Sequence, residues 1–125
     1  MFVVSWVVFP FDILVCNGSG REDIVKYIKG LGYELDEEEN EHLKMHGNGR
    51  TVMLKGGQTI LWTRNKVKPG NPVLQHEIYH AVCFILDRVG IKISEHNDEL
   101  AAYMIEYLTG MINKDITKQT RKTVV

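Results

Sequence analysis

Two cysteines, Cys16 and Cys83, stand far apart in a chain of 125 residues and form no CxxC pair. That scarcity excludes a disulfide framework and a cysteine-based metal cluster, and it makes a reducing, intracellular compartment the default expectation. An excess of charge of either sign is also missing. The formal net charge is -1, so there is no global nucleic-acid signature. Only the tail KDITKQTRKTVV, residues 114–125, is locally basic, and it reads as a flexible terminus in preference to a nucleic-acid arm. Long apolar runs are absent as well. The opening MFVVSWVVFPFDILVCNG is broken by Pro10 and Asp12, has no basic start and no small-residue cleavage site, and is too short to cross a bilayer as a helix. Its β-branched and aromatic content suits a buried strand. No internal repeat or linker divides the chain, so residues 1–113 are read as one domain of ordinary globular composition, with 44% hydrophobic and 25% charged residues.

What is present alternates between strand and helix signals. A first strand is expected from Val3 to Val15, interrupted at Pro10. NGSG makes a turn, Ser19 and Glu22 have the spacing of a capping box, and REDIVKYIKGLG follows as a helix with Ile24, Ile28 and Leu31 inward. ELDEEENE, with six acidic residues, reads as a solvated loop or short exposed helix, because it lacks the glycine turn and ligand alternation of a calcium loop. RTVMLKGGQTILWTR gives two short strands joined at Lys55–Gln58, with Ile60 and Trp62 on one face and Leu61 on the other. Asn71-Pro72 starts a helix that runs to Gly90 on the spacing Leu74, Ile78, Ala81, Val82, Ile85, Leu86, Val89. A last helix, capped by Ser94 or Asn97, runs through Leu100, Met104, Tyr107, Leu108 and Met111 to about Asn113. The order predicts an α+β domain: a small mixed or antiparallel sheet with an N-terminal helix and two C-terminal helices.

Within the long helix, LQHEIYHAV contains His76-Glu77-x-x-His80. Four residues of separation put both imidazoles on one helix face, offset from the apolar stripe. The chemistry of this spacing is specific. Two neutral imidazoles can hold a zinc ion while the adjacent carboxylate, itself no ligand, takes a proton from water. The pentapeptide alone would arise by chance in roughly 1.5% of chains of this composition. A zinc hydrolase site normally has three protein ligands, and the following helix offers Glu99, with His96 as its rival.

His76-Glu77-x-x-His80, eighteen residues, then Glu99 in NDELAAY resembles the gluzincin signature of zinc metallopeptidases over about residues 51–110. The compact size is similar to the minimal members found in bacteria and phages, including the ImmA/IrrE-type peptidases. The resemblance implies a zincin-like fold and one Zn²⁺ held by His76, His80 and Glu99. It implies Glu77 as general base and a peptide or protein substrate. It also implies an edge strand that pairs with extended substrate, for which Thr59, Ile60, Leu61, Trp62 and Thr63 are in the expected place. The implied setting is the cytoplasm of a bacterium or a phage-infected host, or a virion. Two departures bear on catalysis. Tyr103 stands where some members carry an Asp that orients a zinc histidine, and no counterpart is expected for the C-terminal lobe that supplies an oxyanion-stabilising His or Tyr. Tyr103 or His96 would have to fill that role. A catalytically silent zinc-binding or structural component, joined to a protein assembly partner, is the alternative; neither nucleic acid nor membrane is indicated.

Overall fold

The structure, a computed structural model, describes residues 1–5 and 12–123, with side chains described through Gln119. Eight elements follow in order: β1 (Phe2–Val4), β2 (Ile13–Asn17), α1 (Arg21–Gly30), α2 (Glu37–His42), β3 (Gly49–Met53), β4 (Thr59–Thr63), α3 (Pro72–Arg88) and α4 (Asp98–Thr123). The strands form one mixed sheet in the order β1-β2-β4-β3. β1 and β2 are antiparallel, β2 and β4 parallel, and β3 and β4 antiparallel. The chain is thus an α+β domain, as its element order suggests. The expected first strand is two antiparallel strands, so the backbone reverses between Val4 and Ile13; residues 6–11, with Pro10, lie outside the described residues.

Alternation along the strands sorts the core into two layers. Leu14, Cys16, Val52, Ile60 and Trp62 face α1 and pack with Ile24, Ile28 and Leu43. Ile13, Val15 and Leu61 face the other way, onto Leu74, Ile78, Ala81 and Ile85 of α3 and Met104, Leu108 and Ile112 of α4. The division of Ile60 and Trp62 from Leu61 is the one their spacing predicts. β4 lies between β2 and β3 and is buried over its whole length. That explains its near-continuous apolar character.

Helix boundaries follow local chemistry, with two departures from expectation. The Asn71 side chain accepts a hydrogen bond from the Val73 N–H at 2.9 Å and Pro72 takes the first helical position, so α3 starts where the sequence says it must. α1 is capped by Gly20 without a side-chain bond, so Ser19 and Glu22 form no capping box. The reciprocal box belongs instead to Asp36 and Glu39, at the start of α2. Inside the acidic run Glu39 is buried, and its carboxylate accepts from the Tyr33 hydroxyl at 2.6 Å and from the backbone N–H groups of Asp36 and Lys55 at 3.1 and 3.0 Å. Burial raises its pKa, yet these three donors outweigh that and hold it below the usual carboxylate value. Lys55 pairs outward with Asp36 and Glu38. The run is therefore a clamp between α2 and the β3–β4 turn.

The basic segment expected to be a flexible tail is helical. α4 continues through Thr123, and Ile116 is buried at 2% exposure. Among the described residues no helix is long and apolar enough to cross a membrane.

Candidate functional site

The HExxH segment occupies the first half of α3, where that helix crosses the start of β3. Glu77 is 4% exposed. Burying a carboxylate demands donors, or the charge is costly. One is Thr51 of β3, whose hydroxyl lies 2.8 Å from Glu77 Oε1 and 3.1 Å from the Glu77 carbonyl oxygen. A hydroxyl has one proton to donate, so the shorter contact to the carboxylate takes precedence. The rest of the side chain runs along Gly49. A Cβ at that position would stand 2.8 Å from Glu77 Oε2 and 2.9 Å from its Cγ. Glycine at the start of β3 is thus the condition for the carboxylate to lie against the strand. Oε2 is the oxygen turned toward that backbone, at an open cleft of about 420 Å³ between α3 and the segment before β3.

The two imidazoles converge. Their Nε2 atoms are 3.0 Å apart, with ring centroids at 4.7 Å and planes 75° apart. Two nitrogen ligands on one tetrahedral zinc ion, each at about 2.0–2.1 Å, would be about 3.3 Å apart. The pair is therefore close to the spacing such an ion requires. Phe84 lies near His80, with ring centroids 6.3 Å and planes 25° apart.

The other expected ligand is not with them. Among the described residues no group of three or more His, Cys, Asp or Glu side chains is arranged to hold a metal ion. The reason lies in the phase of α4. Its buried positions are Ala101, Met104, Leu108, Ile112 and Ile116: Met104 and Leu108 of the expected stripe are among them, while Ala101, Ile112 and Ile116 take the places expected for Leu100, Tyr107 and Met111, so the buried face is rotated. Glu99 stands nine positions before Leu108, about two and a half turns, and so points to the opposite side. It is exposed. The two imidazoles are thus near the spacing that a zinc ion requires, and neither Glu99 as placed nor any other described side chain completes a set of three ligands.

The remaining candidates are not at the cleft either. His96 is exposed before α4, where its N–H bonds the Ser94 hydroxyl at 3.2 Å and its imidazole lies 3.7 Å from Glu95. Tyr103 is 67% exposed and lines a shallow groove whose described lining comes from α4. Thr59–Thr63 cannot be the substrate-pairing edge, since β4 is hydrogen-bonded to β2 on one side and β3 on the other. The edge beside the HExxH helix is β3, which among the described residues pairs only with β4. Sequence reading missed Gly49, Thr51 and His46, the last on the loop before β3 and lining the same cleft as His76 and Glu77. Only the glycine at a strand start carries a local signal.

No protein-family model matches this chain, and neither a curated protein nor a solved structure matches it. The site has to be judged on its own geometry.

Proposed function

We propose that the protein is a small zinc-dependent peptidase of gluzincin type, acting on an extended segment of a protein substrate. The observation that carries this reading is the joint arrangement of His76, His80 and Glu77. Two imidazole nitrogens converge 3.0 Å apart, and the intervening carboxylate is buried with one oxygen engaged by Thr51. A helix histidine pair formed for solubility has no need of a buried, strand-anchored glutamate between its members.

A bound zinc ion supplies Lewis acidity toward water and a peptide carbonyl. The chain's own residues then have distinct tasks. His76 and His80 would hold the ion, since their Nε2 atoms converge. Thr51 keeps Oε1 of Glu77 occupied, which leaves Oε2 to accept a water proton and return it to the leaving amine. β3 offers an edge along Gly49–Met53 that no other described strand pairs with, beside which lie the cleft at His76 and Glu77 and a second groove lined by Arg50, Met53 and Phe84. An extended peptide added to that edge would run past Glu77.

The position of Glu99 favours the alternative, a zinc-binding or structural component without turnover. Glu77→Gln separates the two. For a peptidase the variant binds zinc as wild type does and cleaves no partner that wild type cleaves. Undiminished cleavage by Glu77→Gln would remove Glu77 from the chemistry. Zinc binding with no cleavage by either protein would favour the silent reading.

A further inference from the structure

We infer that the β3 edge selects a substrate segment with an acidic side chain, and that Arg50 is the residue that recognises it. The inference rests on the reading above that an extended peptide pairs with this edge. The groove beside the edge, of about 250 Å³, is lined by His42, Arg50, Thr51, Val52, Met53 and Phe84. Successive residues of a strand point to opposite faces. Thr51 and Met53 belong to the α3 side, where Thr51 meets Glu77 and Met53 packs against the larger core cluster. Val52 belongs to the α1 side, and Arg50, two positions earlier, shares its face. A groove with walls from both faces follows the edge itself. Side chains of an added strand would stand there.

Arg50 differs from the other arginines whose side chains are described. Arg21 donates to the Leu43 carbonyl at 2.8 Å, Arg64 to that of Gly47 at 2.6 Å and Arg88 to that of Lys55 at 2.8 Å. Arg50 is half-buried and has no hydrogen bond or ion pair with a described residue. Its planar fork of N–H donors is thus uncommitted, and a carboxylate fits that fork with two parallel bonds. The groove lining holds no acidic side chain, and its one other ionisable group is His42. On the α3 side the buried carboxylate of Glu77 disfavours a second negative charge. An added peptide alternates faces as β3 does, so it is read as acidic opposite Arg50 and uncharged at the adjoining positions. Those lie beside Met53 and the partly exposed ring of Phe84. A second copy of this chain does not meet that requirement, because its own β3, Gly-Arg-Thr-Val-Met, would bring an arginine and no carboxylate.

The test measures fluorescence anisotropy of labelled eight-residue peptides of alternating Thr and Val. Glu, Gln or Lys is placed in turn at each of the four central positions. The full chain is used with chelator present, so that no peptide is cleaved and the readout does not depend on zinc. Wild type, Arg50→Gln and Arg50→Glu are compared, with circular dichroism confirming the fold of each. The expected result for wild type is a Glu peptide bound about tenfold more tightly than its Gln counterpart, with Lys weakest. Arg50→Gln should erase that preference, and Arg50→Glu should turn it toward Lys. Binding without preference, or a Glu preference that both variants keep, would overturn the inference and leave the edge reading standing. A dimer of this chain that blocks peptide binding, or no binding of any peptide, would overturn both. The peptidase reading is judged separately, by cleavage with wild type and Glu77→Gln.

Discussion

The Thr51 hydroxyl lies 2.8 Å from Oε1 of Glu77, and the carboxylate it holds is only 4% exposed. This contact joins the edge strand to the HExxH helix, and it makes the candidate base a part of the packing between them. Two properties follow from it: the carboxylate has little freedom to reorient, and its second oxygen is left against the Gly49 backbone beside the cleft that Glu77 lines.

Thr51→Val keeps the shape of the side chain and removes the donor. The buried carboxylate then lacks a partner, so stability should fall by about 1–3 kcal/mol. Urea unfolding with an unchanged slope would register it. A variant as stable as wild type would mean that the hydroxyl contributes nothing to holding Glu77. In the proposed peptidase, kcat should drop while KM changes little, because the base is disordered and the substrate edge is intact.

Gly49→Ala places a Cβ 2.8 Å from Oε2. The carboxylate or the strand has to move, at a cost of about 1–3 kcal/mol. The cause can be isolated by a double-mutant cycle: in a Glu77→Ala background the same Gly49 substitution should cost close to nothing. Additive effects would place the strain elsewhere.

Ile116 is 2% exposed on the last turns of α4. Ile116→Ala should destabilise the domain by about 2–5 kcal/mol, read by chemical or thermal unfolding. A flexible tail would show no change, and so would a deletion after Asn113.

Glu39 titrates below its ordinary value in the folded chain. Above the unfolded value this contributes stability in full. As pH falls from the ordinary carboxylate range through the lower folded pKa, the unfolded state binds a proton that the native state resists, and the contribution is lost. Urea midpoints measured from pH 7 down to pH 3 should therefore fall more steeply for wild type than for Glu39→Gln. Parallel curves would show that Glu39 is not the group responsible.

Much of the local structure was written in residue order. Asn71-Pro72 sets the start of α3, and Gly90, at φ of +79°, stands just past its end. The alternation of Ile60, Leu61 and Trp62 sorts them correctly onto two faces. The imidazole pair was equally legible, since four residues on a helix determine that both rings share a face. Expectations went astray where long-range partners decide. Met104 and Leu108 can be flanked by Leu100, Tyr107 and Met111, as expected, or by Ala101 and Ile112, as found, and a shift of one residue turns a helix by 100°. The buried stripe continues through Ile116, and Glu99 is left exposed on the opposite side.

By itself, then, the sequence determined the element order, the α+β class, the start of α3 and the joint presentation of His76, Glu77 and His80. Those depend on dihedral preferences, capping and periodicity, which act within a few residues. Only the tertiary structure decided that β3, not β4, is the edge beside the HExxH helix, that Thr51 and Gly49 seat Glu77, and that His46 stands at its cleft while Glu99 does not. Strand order and helix rotation are set by which buried surfaces meet, and no spacing along the chain records that.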